Sequence, residues 1–353
     1  MVGVGVLDDP SGKFDLDGQI FPHIPNRRLT ADGMSRTPSP TKEGVRMKHN
    51  FIINPAAGKS DKTAEYTANI EAACAGLDYE ILQTAAPGDA TRMARQAAKT
   101  GEEVRLYACG GDGTLNEVVA GAAGFDNAAV TCYVGGSGND FVKVFDDRDA
   151  FRDLNRLLDA ETATFDLIDC NGQPALNICC VGLDSRIGAD MIRFKRLPLV
   201  SGSMAYILPI LTNLFKGISE HYIVDVDGER IDDEMTFVCV ANARYYGGGF
   251  YAMPDAQPDD GMLDILLVKK IRLWQVPSAL AKYKAGRYRE LGKLARYIRT
   301  DRITIRADKD GPVNIDGEIR MARNVQMKLS DKKIRFFYPK GLKYSAECKM
   351  QKA

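Results

Sequence analysis

Three glycines and one aspartate form a short segment whose residue types could bind a phosphate group: Gly110, Gly111, Asp112 and Gly113, followed by Thr114. Residues 104–109 before it are apolar and β-prone, and residues 115–123 after it carry apolar side chains at helical spacing. A strand, a glycine-rich turn and a helix together present unpaired backbone N–H groups to an anion. A carboxylate in such a place repels phosphate unless Mg²⁺ lies between them. The segment therefore predicts a site for a nucleoside triphosphate with its metal ion.

Two better-known phosphate motifs do not fit the chain. A dinucleotide fingerprint requires a third glycine where Asn116 stands, and a Walker sequence ending at Gly58-Lys59-Ser60 requires glycine at Ile53. A tight turn with a solvated aspartate remains the plain structural alternative for the glycine segment.

The elements around this segment alternate between strand and helix, which predicts a parallel sheet with crossover helices. Ligands bind beyond the carboxyl ends of the strands in such sheets. Four polar residues fall at predicted strand ends, and we expect them to meet in one crevice: Asn54, Thr84, Asp112 and Ser137.

The pattern changes after a predicted helix at 149–160. From Phe165 onward, short strands and turns predict an antiparallel sandwich or barrel, with helices at 204–215 and 273–297. We therefore expect an α/β domain at 47–163 that includes a C-terminal strand at 331–345, and a β-rich domain at 164–330. Residues 1–46 are rich in turn-forming residues and predict a disordered extension, with Met47 as an alternative start.

Composition excludes some functions. The 47 basic and 47 acidic side chains cancel, which argues against a nucleic-acid partner bound by bulk charge. Eight cysteines form no C-x-x-C pair, which favours a reducing cytosol, and no apolar run is long enough to span a bilayer. A basic segment at 281–299 has two open interpretations: a helix lying on an anionic membrane surface, or a solvated helix face.

Several motifs in order along the chain resemble the diacylglycerol kinase catalytic-domain family, which includes bacterial lipid kinases and sphingosine kinases. They are Asn54-Pro55 with Gly58, the 110–117 segment, residues 136–141, residues 254–264 and residues 314–318. The resemblance implies an α/β nucleotide domain, a β-rich second domain and a cleft between them. It also implies ATP and Mg²⁺ as cofactors. The residues that it assigns to ATP are Asn54, Thr84, Gly110, Gly111, Asp112, Gly113, Thr114, Asn116, Glu117 and Ser137.

The resemblance further implies catalytic roles for Asp316, Glu318, Asp112 and Asp166. Asp316 would be the general base, and Asp166 would reach the catalytic Mg²⁺ through water. The tripeptide Asp-Gly-Glu occurs twice, and periodicity does not separate Asp316 from Asp227, so the family's motif order selects Asp316. A second, structural metal would be bound by Asp260 with the main-chain carbonyls of Gln257 and Met262, and an ordinary Asp-Gly turn is the alternative.

By this resemblance the chain would be an enzyme that phosphorylates the hydroxyl of a membrane lipid, with diacylglycerol as the first candidate acceptor. A sphingoid base or another lipid is the alternative acceptor, and an NAD kinase-like enzyme or an inactive regulator are the alternative classes. The expected location is the cytoplasm, peripheral at the inner face of the membrane. A homodimer is left open.

Overall fold

The computed structural model describes residues 47–58, 60–134, 139–195 and 204–344. The predicted N-terminal extension, residues 1–46, and the predicted ATP residue Ser137 lie outside these ranges. Within them, two sheets carry most of the strands: a mixed sheet of six strands and an antiparallel sheet of nine.

The first sheet has the strand order β2-β1-β3-β4-β17-β5. Strands β1 to β4 are parallel, and β17 runs parallel to β4 and antiparallel to β5. The strands are β1 (Lys48–Ile53), β2 (Asp78–Gln83), β3 (Val104–Cys109), β4 (Ala128–Tyr133), β5 (Ala160–Phe165) and β17 (Ile334–Pro339). The helices are α1 (Thr63–Ala73), α2 (Asp89–Ala98), α3 (Asp112–Ala122) and α4 (Leu154–Leu158). The α/β class predicted from alternation is confirmed.

Helices α2 and α3 pack at very short range. A Cβ built on Gly121 of α3 would lie 2.4 Å from the backbone oxygen of Thr91 in α2. No side chain fits at that distance, so glycine is required at Gly121 by packing between helices.

The second sheet has the order β14-β13-β10-β8-β15-β16-β6-β7, and β9 pairs with both β10 and β15. This double pairing closes part of the sheet into a small barrel. Its strands are β6 (Ile168–Cys170), β7 (Gln173–Ala175), β8 (Ile178–Gly182), β9 (Glu220–Val226), β10 (Glu229–Ala241), β13 (Leu263–Lys269), β14 (Ala295–Thr300), β15 (Arg302–Ile315) and β16 (Glu318–Leu329). Beside it lie α5 (Leu183–Lys195), α6 (Met204–Phe215), α7 (Val276–Lys284) and the hairpin of β11 (Tyr245–Tyr246) and β12 (Phe250–Tyr251). The predicted antiparallel β-rich half is confirmed.

The predicted helix at 149–160 is wrong in extent. A 3₁₀ turn at Arg148–Arg152 is followed by the separate short helix α4, and β5 already begins at Ala160. Asp153 has extended backbone angles, and its side chain accepts the N–H groups of Asn155 and Arg156. This cap begins a new helix at the point where the predicted one would have continued.

The predicted helix at 273–297 is also wrong in extent. Helix α7 ends at Lys284, and Gly286 has a φ of 75°, which suits the left-handed residue that follows many helices. A 3₁₀ segment at Tyr288–Leu294 follows, and β14 begins at Ala295. The basic segment is therefore not one continuous helix.

The two halves are joined through Arg244, whose side chain is 1% exposed. Its guanidinium donates to the backbone oxygens of Ala256, at 3.0 Å, and Tyr344, at 2.9 Å. The seven cysteines in the described ranges are all buried and unpaired. None of the described helices combines the length and the apolar character that a membrane span needs.

Candidate active site

The glycine segment lies at the carboxyl ends of β1, β2 and β3. The backbone N–H of Thr84 donates to the oxygen of Ile53, at 2.9 Å, and that of Asn54 donates to Cys109, at 3.1 Å. The Asn54 amide donates to the Thr114 hydroxyl at 3.0 Å. Four predicted ATP residues, Asn54, Thr84, Gly110 and Thr114, therefore lie at one edge of the sheet, where parallel sheets bind ligands.

The three glycines of the segment are needed for different reasons. None of them has a positive φ, so backbone strain does not select glycine here. A Cβ on Gly110 would lie 2.4 Å from the Thr114 hydroxyl, whereas a Cβ on Gly111 or Gly113 would meet no described protein atom within 4 Å. Open space in front of Gly111 and Gly113 leaves their backbone accessible to a ligand, as phosphate binding at a helix N-terminus requires.

Asp112 is the first residue of α3, and its carboxylate does not point freely into solvent. It accepts backbone N–H groups from Asn139, at 3.1 Å, and Asp140, at 2.5 Å. Burial raises the pKa of Asp112, and the nearby Asp140 raises it further, while these two hydrogen bonds oppose the change. Asp140 in turn pairs with Lys143 and accepts the N–H of Gly248 at 2.7 Å. This chain of contacts connects the glycine segment to the β11–β12 hairpin.

A cavity of about 420 Å³ extends from Asp112 into the second half of the chain. Its polar end contains Asp112, Asn116, Asn314 and Asp316. Its walls are apolar and come from α5, α6, α7 and the adjoining strands, including Leu183, Ile187, Met191, Leu214, Phe237 and Leu280. The cavity is thus amphipathic: Asp112 lies close enough to Asp316 to raise its pKa, and most of the remaining lining is hydrocarbon.

Asp316 lies at the turn between β15 and β16, with a φ of 48°. Its carboxylate accepts three successive backbone N–H groups, from Leu176 at 2.6 Å, Asn177 at 3.0 Å and Ile178 at 2.7 Å. Burial raises the pKa of Asp316 to about 6 against the opposing effect of these bonds, and Asp112 contributes to the rise. A carboxylate with this pKa is ionised near neutral pH yet basic enough to accept a proton.

The duplicate tripeptide lies in a different environment. Asp227 is exposed at the β9–β10 hairpin, where its φ of 50° resembles that of Asp316. Local backbone geometry is therefore the same at the two aspartates, and only Asp316 faces the cavity.

Three other predicted site residues do not line the cavity and have hydrogen-bond or ion-pair partners elsewhere. Glu117 accepts the N–H of Ala90, at 3.1 Å, near the start of α2, and Glu318 accepts from the Gln173 amide at 3.0 Å. Asp166 pairs with Lys333, at 2.8 Å, and accepts the N–H of Gly261 at 2.9 Å. None of the three is among the described residues that line the cavity. Their catalytic or ATP-binding roles stay predictions.

The predicted structural metal site stays a prediction, and the Asp260 carboxylate has other partners in the structure. Asp260 has both carboxylate oxygens engaged: one pairs with Arg299, at 2.5 Å, and the other accepts the N–H of Met262 at 3.1 Å. Among the described residues, no group of three or more acidic, histidine or cysteine side chains could hold a metal ion. The Arg299 guanidinium supplies the positive charge that the predicted site, with Gln257 and Met262, would obtain from a metal.

Three arginines of the basic segment form ion pairs with acidic side chains. Arg289 pairs with Asp255 at 2.8 Å, and Arg299 pairs with Asp260. Arg296 pairs with Glu229 at 2.6 Å. These arginines are therefore already matched by carboxylates, which weakens the interpretation of the segment as a free cationic surface.

Sequence reasoning assigned no positioning role to Asn139 and Asp140, although both lie within the motif at residues 136–141. It also missed Asp184 and Tyr246, which line the cavity. Neither belongs to a motif of alternating or clustered polar residues, so no local signal distinguishes them from the surrounding core.

Comparison with known proteins gives two family matches in tandem. Residues 48–170 match the diacylglycerol kinase catalytic domain, and residues 177–337 match the YegS C-terminal NAD kinase beta sandwich-like domain. A diacylglycerol kinase from Bacillus subtilis is 26% identical over 76% of this chain and 88% of its own length. A solved Bacillus anthracis protein, described as a proposed diacylglycerol kinase, is 25% identical with a TM-score of 0.65 over 82% of this chain and 96% of its own.

Proposed function

Because the chain belongs to the diacylglycerol kinase catalytic-domain family of lipid kinases, we propose that its acceptor is a diacylglycerol, which it converts with ATP into phosphatidic acid. The observation that carries this proposal is the amphipathic cavity, whose hydrocarbon walls lead to Asp112 and Asp316. A diacylglycerol has the matching form: acyl chains for the apolar walls and one hydroxyl for the carboxylate end.

In this proposal Asp316 is the general base. Its three backbone donors fix the carboxylate, and its raised pKa lets it accept the proton of the lipid hydroxyl. The lipid oxygen forms a bond to the γ-phosphorus, the bond from that phosphorus to the bridging oxygen breaks, and ADP leaves. The backbone N–H groups at Gly111 and Gly113 would bind the phosphates of the nucleotide.

Mg²⁺ would enter with ATP. Asp112 is the residue that would hold the ion, because each of its carboxylate oxygens accepts one backbone N–H group and keeps a lone pair for a cation. The ion would neutralise charge on the transferring phosphoryl group, and Asp316 would remain free to accept the proton.

The walls of the cavity favour a lipid over a dinucleotide acceptor. A nicotinamide nucleotide carries ribose hydroxyls and phosphates that need polar partners when they leave water. The side chains beyond the polar end are mostly aliphatic or aromatic, as at Leu183, Met191 and Phe237. Other acceptors with a long chain and a terminal hydroxyl, such as a sphingoid base, satisfy the same walls and remain the second candidate.

A membrane lipid must be reached from the bilayer, and we place the contact on α6 and on residues 273–280 rather than on the basic segment. Five of the seven large exposed apolar side chains among the described residues lie there: Leu211, Phe215, Leu273, Trp274 and Leu280. Phe215 is 88% exposed and Trp274 is 72% exposed. Leu280 and the neighbouring Leu214 and Val276 also line the cavity, so this apolar surface is continuous with it. Aromatic side chains of this kind partition into membrane interfaces, which supports peripheral attachment at the inner face.

Trp274 is the sole tryptophan of the chain, so its fluorescence reports this contact without any mutation. We expect phospholipid vesicles to shift its emission to the blue, and Phe215→Ser to weaken vesicle binding. Arg296→Glu is the control for the basic segment and should leave binding unchanged. If the protein binds the vesicles but its emission does not shift, Trp274 does not lie in the membrane contact.

The function itself is tested by ATP consumption with separate acceptors: diacylglycerol, a sphingoid base, ceramide and NAD. We expect diacylglycerol to give the highest kcat/KM, and the product to carry the mass of phosphatidic acid. Turnover with NAD and none with any lipid would contradict the proposal.

A further inference from the structure

One carboxyl group in the cavity has no part in the proposed phosphoryl transfer. Asp184 lies in the first turn of α5 and lines the cavity among apolar side chains such as Leu183 and Ile187. Its Oδ1 accepts the Tyr246 hydroxyl at 3.0 Å. Its Oδ2 is buried and accepts no N–H or O–H hydrogen bond from a described residue, and the other donor beside the carboxyl group is the weakly donating Cys180 thiol.

A buried carboxyl oxygen without a partner is costly. Leaving a buried polar group unpaired destabilises the folded state, and most such groups in folded proteins are therefore paired. A leucine would pack against these apolar neighbours without that cost. The position of Asp184 at the cavity surface suggests that a ligand supplies the missing partner.

The protonation of Asp184 limits what that partner can be. Burial raises the pKa of Asp184, with the Tyr246 hydroxyl and the Cys180 thiol opposing the rise. Burial disfavours the charged form, and an acceptor atom of a ligand at Oδ2 would favour the neutral acid further, because the neutral acid has an O–H to donate. The Tyr246 hydroxyl already donates to Oδ1, so the proton of the acid is available to an acceptor atom of the ligand.

We propose that Asp184, oriented by Tyr246, is a specificity-determining residue that donates a hydrogen bond to a carbonyl oxygen of the acceptor lipid. The inference rests on the proposed function and deepens it. In a diacylglycerol the ester carbonyls lie a few bonds from the free hydroxyl, and Asp184 and Asp316 line one cavity. An amide carbonyl has the same acceptor chemistry, whereas an ether linkage offers no carbonyl.

The experiment compares two lipids with equal chains and the same free hydroxyl: 1,2-dioleoyl-sn-glycerol, which has ester carbonyls, and its dioleyl ether analogue, which has none. One neutral hydrogen bond corresponds to a preference of about twofold to tenfold in kcat/KM for the ester. Asp184→Leu should bring the ratio to about one by slowing the ester reaction alone. Asp184→Asn keeps an N–H donor and should keep most of the preference.

Tyr246→Phe is a second variant in case Asp184→Leu does not fold, and it should reduce the preference because it removes the bond that orients the acid. A wild-type enzyme without preference, or an ester preference unchanged in Asp184→Leu, overturns the proposal. A purely structural role for Asp184 would slow both lipids equally.

A binding measurement separates this inference from the proposed function. The two lipids are titrated into the protein without ATP, and the midpoint of thermal unfolding is followed. A larger rise with the ester that disappears in Asp184→Leu supports the subsite even if neither lipid is phosphorylated, in which case only the proposed function fails. Equal rises with both lipids overturn the subsite whatever the enzyme phosphorylates.

Discussion

Gly113→Ala should make the protein more stable and a poorer ATP binder. Gly113 is the second residue of α3, and its φ is not positive, so alanine adopts the same backbone without strain. An added Cβ would meet no described protein atom within 4 Å. Glycine in a helix costs roughly 0.5–1 kcal/mol relative to alanine, so we expect the free energy of unfolding to rise by up to that amount.

ATP binding should change in the opposite direction. If phosphate approaches the backbone at Gly113, the methyl group occupies that space and breaks a hydrogen bond to a charged group. Such a bond contributes about 1.5–3 kcal/mol, which corresponds to roughly 10- to 100-fold weaker binding. Urea unfolding measures the first effect, and calorimetric titration with Mg·ATP measures the second.

Gly121→Ala is the matched control, because it makes the same substitution in the same helix. Its Cβ would lie 2.4 Å from the backbone oxygen of Thr91 and 2.8 Å from the Ala94 Cβ, so we expect a loss of about 1–3 kcal/mol in stability. ATP affinity of the folded protein should stay near the wild-type value. Unchanged ATP affinity in Gly113→Ala would refute the assignment of this segment to phosphate.

Two further predictions concern charge. Burial raises the pKa of Asp316 to about 6, and a general base must be ionised to accept a proton. The ratio of kcat/KM of the wild type to that of Asp316→Asn should therefore fall as the pH drops below about 6 and stay constant above it. A ratio that does not change between about pH 5 and pH 8 would exclude Asp316 as the base. Because Arg299 pairs with Asp260, Mg²⁺ without nucleotide should not change the thermal unfolding midpoint of the wild type. Arg299→Ala should free the Asp260 carboxylate, so that Mg²⁺ raises the midpoint of this variant. A wild-type midpoint that falls when a chelator is added would support a metal ion at Asp260.

Local sequence pattern was sufficient for the parallel sheet of the first half, although not for the extent of the helix predicted at 149–160. Alternation of apolar strands and helices predicted the sheet, and the glycines after β3 predicted the turn into α3, because both signals lie within a few neighbouring residues. The same reasoning was insufficient at Asp316. Asp227 and Asp316 both occupy hairpin turns with similar φ, and what separates them is contact with Leu176–Ile178, about 140 positions away in the chain.

Sequence reasoning also failed at two places in the second half: the helix predicted at 273–297, and the position of Asp184 in the cavity. The basic segment has helical composition, but glycines with positive φ at Gly286 and Gly292 interrupt it, and its arginines pair with distant carboxylates. Asp184 follows the apolar residues 178–183, and only the folded structure brings Tyr246 to it.

If Asp316 takes the proton from a lipid hydroxyl in the apolar cavity, transfer of labelled phosphate from ATP to diacylglycerol should depend on the Asp316 carboxylate. Asp316→Asn should lower turnover by about 10²–10⁴-fold with Mg·ATP binding retained. Asp227→Asn, the matched change at the exposed hairpin, should leave turnover close to that of the wild type. Wild-type turnover in Asp316→Asn, or loss of turnover in Asp227→Asn alone, would contradict the account.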